Sequence, residues 1–122
     1  MPRHSICLLT MLASICAGAS AHACAPADAS LAGLYSLRGV MEVGSQIALR
    51  ADGTFDYMLA YGAADEAASG CWSREGAAVV LTPETKMTNT GGEMFSRLSL
   101  KIIGPRKLRR DFGATHHGTY QR

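Results

Sequence analysis

Beyond its first two dozen residues this chain has no long apolar run. That excludes a membrane-spanning helix there, since a crossing takes roughly 20 consecutive apolar residues. Spaced metal ligands are missing as well: there is no Cys-x-x-Cys and no His-x₃-His. His116 and His117 are adjacent, so on a strand they point to opposite faces and do not share one ion. Met41, Met58, Met87 and Met94 lack the close clustering of a soft-metal site. Neither Ser69 nor Ser73 sits in a Gly-x-Ser-x-Gly elbow or beside an activating His–Asp pair. Nothing brings Asp65 and Glu66 together with Asp56 or Glu42 as an acid–base pair. A dominant charge is absent too. Twelve Lys and Arg face ten Asp and Glu, for a formal net charge of +2, which gives no global attraction to nucleic acid. The expectation is a protein that is not an enzyme and uses no cofactor or metal.

What is present begins with an export signal. Arg3 and His4 precede the apolar stretch Ile6 to Ala17, and Ala21-His22-Ala23 has the small-x-small pattern of a cleavage site. Residues 1–23 therefore read as a secretory signal peptide and 24–122 as one small domain, periplasmic or secreted. About a hundred residues suffice for one core and not for two. Removing the signal also removes Cys7 and Cys16, leaving Cys24 and Cys71. In an oxidising compartment these two permit one intramolecular disulfide. The alternative is a lipoprotein acylated at Cys24, although Ala21 stands where such sites usually carry leucine.

The mature chain is written in short strands. Ile47 and Leu49 alternate with polar neighbours before Asp52-Gly53. Phe55, Tyr57, Leu59 and Tyr61 alternate after it. Period two over about eight residues marks a strand, and Asp-Gly between strands predicts a type I′ hairpin turn. A second hairpin pivots on Glu75-Gly76 and ends at Pro83. Ala63 to Ala68 is expected as a loop or a single helical turn, and 84–95 as an irregular loop. Leu98, Leu100 and Ile102 predict a further strand, and Gly118 to Arg122 a closing one.

Gly33-x-Tyr35, Asp52-Gly-x-Phe55, Gly70-x-Trp72 and Gly76-x-x-Val79-x-Leu81 together resemble small exported bacterial proteins with a lipocalin-like, calycin-type β-meander. The likeness covers residues 33–82. It implies an all-β, antiparallel, short or open barrel of about six or seven strands, and it leaves function open.

Two groups of side chains remain as candidate sites. Phe55, Tyr57, Tyr61 and Trp72 either line a concave pocket for a small apolar or amphipathic ligand, or simply fill the core. Tyr61, beside the Ala63–Ala68 segment, is the one expected nearest an opening. Arg106, Lys107, Arg109 and Arg110 form a basic run that either meets an anionic envelope component or is a solvated tail.

Overall fold

The computed structural model describes residues 23–122. The expected signal peptide lies, apart from Ala23, outside the described residues. Eight strands follow one another: β1 (Gly33–Arg38), β2 (Val43–Leu49), β3 (Thr54–Tyr61), β4 (Ala64–Glu75), β5 (Ala78–Thr88), β6 (Leu98–Gly104), β7 (Lys107–Asp111) and β8 (His117–Gln121). Each pairs antiparallel with the next, and β8 pairs back onto β1 to close the barrel. The expected all-β meander is therefore present, but with eight strands rather than six or seven, and closed rather than open. Among the described residues no helix is long and apolar enough to cross a membrane.

The strand added to the expected set is β7, formed by the basic run and paired with β6 and β8, and the alanine-rich segment is strand rather than loop or helical turn. Residues 64–68 form the first half of β4 and pair with β3 from Ala64↔Tyr61 to Ala68↔Tyr57. Six residues of good helix propensity cannot pay for nucleating a helix, and the edge of β3 offers them a ready ladder. Pro83 does not end the second hairpin either. It lies inside β5, where the register steps between Ser69 and Gly70 so that Pro83 and Thr85 oppose neighbouring residues of β4 and Glu84 is left over. Such a bulge tolerates a residue with no N–H to donate. Gly70 is required there, because a Cβ would lie 2.3 Å from the Thr82 carbonyl oxygen and 2.7 Å from the Glu84 nitrogen.

The Asp52-Gly53 hairpin also differs from expectation. Of the pair only Gly53 has a positive φ, 86°, so this is not a type I′ turn. The connection is four residues long, with the Gly53 N–H donating to the Arg50 carbonyl at 3.0 Å. Asp52 instead uses its carboxylate to accept from the Thr54 N–H at 2.9 Å and the Thr54 hydroxyl at 2.6 Å, a local alternative open to a short acidic side chain. The chain entering from Cys24 crosses directly over this turn. A Cβ on Gly53 would lie 2.0 Å from the Ala25 carbonyl oxygen.

Alternation along the strands sends Tyr35, Ile47, Phe55, Val79, Leu81, Leu100, Leu108 and Tyr120 into the barrel, each fully buried. Each buried large side chain contributes roughly 1.5–3 kcal/mol. The lower end, where β2–β3, β4–β5 and β6–β7 turn, is closed by residues 23–32. Leu31 of the 3-10 turn Ala29–Leu31 packs into the core, and the Tyr35 hydroxyl donates to its carbonyl at 2.7 Å. Cys24 and Cys71 are joined there across a sequence separation of 47. Arg122 completes the closure: its guanidinium donates to the carbonyls of Ala32 (2.6 Å), Ser30 (2.7 Å) and Pro105 (2.9 Å) and lies over the Tyr35 ring.

Candidate functional site

The upper end is built differently. β5 pairs with β6 only from Ala78↔Lys101 to Leu81↔Leu98, so the upper half of β5 has no strand on that side. The connection, residues 89–97, runs back past this gap without joining the ladder. It closes the gap with side chains: Met94 and Phe95 are half-buried against the core. Phe95 meets the Tyr57 ring edge-to-face, with centroids 5.1 Å apart.

Below Phe95 is a polar cluster inside an otherwise apolar barrel. Alternation in β7 points Leu108 and Arg110 inward and Lys107 and Arg109 outward. The Arg110 Nη1 donates to the hydroxyls of Tyr57 (3.1 Å) and Tyr120 (3.2 Å). The Tyr120 hydroxyl bonds Ser45 Oγ at 2.7 Å, and Ser45 donates to the Met58 carbonyl at 2.6 Å. The Tyr57 hydroxyl donates to the Glu66 carboxylate at 3.1 Å. The Arg110 guanidinium lies 4.4 Å from the Phe112 ring centroid, 5.5 Å from that of Tyr57 and 6.0 Å from that of Phe95.

The electrostatics follow from this arrangement. Burial pushes the Tyr57 hydroxyl well above the usual tyrosine range, against the opposing pull of Arg110. It therefore stays neutral and can accept from Arg110 while donating to Glu66. Burial also disfavours the Arg110 cation, but hydrogen bonds to the two phenols outweigh it and Arg110 remains charged. Among the described residues the four ion pairs are Arg50–Asp56, Arg74–Asp28, Arg97–Glu75 and Arg109–Asp111. Arg110 belongs to none of them.

The expected ligand group is divided by the fold. Phe55 and Trp72, at 0% and 3% exposure, belong to the packed core, and the Trp72 indole N–H donates to the Arg50 carbonyl at 2.8 Å near the lower end. Tyr57, 3% exposed, connects the core to the Arg110 cluster, and Tyr61, 55% exposed, stands at the upper rim. The basic run is divided as well. Arg109 bonds Asp111, Arg106 donates to the Arg122 carbonyl, Lys107 faces solvent and Arg110 turns inward. The candidate carboxylates do not converge: Asp56 bonds Arg50, Asp65 and Glu42 are exposed, and only Glu66 reaches the cluster. Cys24, Cys71 and Glu84 come close together, but sulfurs joined in a disulfide offer no thiolate to a metal.

Ser45, Glu66, Phe95, Phe112 and Tyr120 complete the site beyond the expected residues. One signal for it was available: Leu108 as a core position places Arg110 on the same face, two residues on.

The chain matches no protein-family model, and neither a curated protein nor a solved structure matches it significantly.

Proposed function

We propose that this protein is an exported, non-enzymatic, lipocalin-like β-barrel that binds a small amphipathic ligand at its upper end. The observation carrying this reading is Arg110: a charged side chain directed into the barrel, among Tyr57, Phe95 and Phe112, with no carboxylate partner among the described residues. Convergent polar groups in an aromatic surround are what a small-molecule site needs for orientation and burial. The unpaired upper half of β5 supports the same reading, because the side chains closing that gap are held by packing rather than by a ladder. The Cys24–Cys71 disulfide supports export to an oxidising compartment. The rival reading, docking of an anionic envelope component on residues 106–110, is weakened because Arg110 turns inward while Arg109 is paired with Asp111 and Arg106 with the Arg122 carbonyl.

Titration of the folded mature chain with the neutral fluorophore N-phenyl-1-naphthylamine tests the reading. Saturable enhancement that a non-fluorescent amphiphile competes away is expected. A linear, non-saturating response would leave a closed barrel with no ligand.

A further inference from the structure

We propose that the outer wall formed by β6, β7, β8 and β1 docks a linear anionic glycan along a set of cations that the barrel assembles from separate strands. This does not rest on the reading of the upper end as a ligand site, and it stands or falls apart from it.

Charge is segregated around the barrel. Outward side chains of β6, β7, β8 and β1 include Arg38, Lys101, Lys107 and Arg109, and Asp111 is the only acid on these strands. The strands β3, β4 and β5 carry Asp56, Asp65, Glu66, Glu75 and Glu84 against Arg74 and Lys86. A formal net charge of +2 thus conceals a basic half and an acidic half. Such a distribution steers an anion to one face.

Register gathers the cations. Lys101 lies directly opposite Arg109, Arg109 opposite Thr119, and Thr119 opposite Arg38. In the next row toward the lower end Lys107 stands opposite Gln121, and Gln121 opposite Ser36. With neighbouring strands about 4.8 Å apart, the row from Lys101 to Arg38 spans about 15 Å. Two facts set it apart from scattered surface charge. Lys101 and Arg109 are like charges opposed on adjacent strands, which lowers sheet stability and so has no folding rationale. Among the described residues Arg38, Lys101 and Lys107 have no ion pair, and Arg109 has only its exposed contact to Asp111. The surface is therefore not the run 106–110, from which Arg106 and Arg110 are drawn away.

The partner's chemistry follows from what surrounds the cations. Ser36, Thr119 and Gln121 lie between them, and these hydrogen-bonding side chains suit the hydroxyls of a sugar chain. Tyr35 and Tyr120 of the same strands are fully buried, so the wall offers no aromatic platform for nucleic-acid bases. Its exposed large hydrophobics, Leu34 and Ile103, stand on β1 and β6 at opposite edges of the wall. They form no apolar face to enter a lipid surface. A second copy fits less well than a glycan, because Asp56 and Glu75 of the acidic half are already paired with Arg50 and Arg97.

Surface plasmon resonance of residues 24–122 on immobilised polygalacturonate tests the assignment, with neutral dextran and phosphatidylglycerol vesicles alongside. Binding to polygalacturonate should weaken steeply with salt and be absent on dextran. Lys101→Ser with Lys107→Ser should weaken it about tenfold, the combined scale of two exposed charge contacts. Arg50→Ser with Lys86→Ser removes the same charge from the other half and should leave it within about twofold. In the wild-type protein, amide resonances of Arg38, Lys101, Lys107 and Thr119 should shift with oligogalacturonate, a readout that needs no variant to fold. The absence of salt-sensitive binding to polygalacturonate overturns the proposal. Equal losses from the two double variants overturn it as well, since net charge alone would then suffice. Tighter binding to the vesicles, or salt-sensitive self-association in sedimentation, puts a membrane or a second copy in the glycan's place and overturns it too.

Discussion

The two ends of this barrel each hold an inward arginine, and they use it in opposite ways. Arg122 at the lower end donates to three backbone carbonyls from two segments, which ties the 3-10 turn and the β6–β7 turn to the C-terminus. Arg110 at the upper end touches only side chains: two phenols and three aromatic rings. Backbone carbonyls are fixed by the fold, so Arg122 is locked wherever the fold exists. Phenols and rings can rotate, so Arg110 sits in a setting that can accept a substitute partner. The same contrast runs through the surroundings. A disulfide, a Trp72–Arg50 bond and a crossing main chain close the lower end, whereas an unladdered connection covers the upper one. One end is tied by covalent and main-chain contacts, the other covered by side chains alone.

The largest expected effect comes from cutting the lower strap. The double substitution Cys24→Ser with Cys71→Ser releases a 47-residue loop and should cost about 4 kcal/mol in the chain-entropy account. Urea denaturation monitored by Trp72 fluorescence would read this as a lower midpoint. A loss under about 1 kcal/mol would show that the lower end is held without it.

Exchanging the two arginines for methionine sharpens the contrast itself. Arg122→Met strands three carbonyls at the closed end and should cost about 2–3 kcal/mol. Arg110→Met removes a partly desolvated charge and leaves two phenols that can bond each other, Ser45 or water, so about 1 kcal/mol or less is expected. Equal losses would erase the distinction between a locked arginine and an available one.

The smallest effect concerns acid. Hydrogen bonds from Ser30 and then the Arg74 contact lower the Asp28 carboxyl, and bonds from Thr54 lower that of Asp52. Carboxylates with folded pKa values below their unfolded ones contribute stability above about pH 4 and lose it as pH falls through the folded values. Both groups belong to the lower end, Asp52 exposed and Asp28 half-buried. Midpoints measured from pH 5 to pH 2 should therefore fall slightly more steeply for the wild type than for Asp28→Asn with Asp52→Asn. Identical slopes would remove these caps from the account.

Much of this fold was legible in the sequence because it is written with period two. Ile47, Leu49, Phe55 and Tyr57 alternate cleanly and all point inward. With the expected signal peptide set aside, Cys24 and Cys71 have only each other, and they are joined. Residues 64–68 were misread because alanine carries a helix preference and no β signal, and the partner strand that overrides it is not a local feature. Pro83 was misread because a bulge depends on Gly70, thirteen residues earlier, lacking a side chain. The candidate site was only half legible. Tyr57 belongs to it, but Arg110 was grouped with its chain neighbours by charge when the strand separates them by face. Phe95 and Tyr120 reach it from segments 15 and 10 residues from Arg110 with no shared motif.

The central claim is that the upper end opens to a ligand while the lower end does not. Amide chemical-shift mapping of residues 24–122 titrated with N-phenyl-1-naphthylamine tests it most directly. The account predicts shifts concentrated at residues 89–97, at Tyr57, and at Arg110 to Phe112, with Tyr35, Trp72 and the 3-10 turn unmoved. Shifts centred on the lower end or on the outer face of the sheet would contradict it.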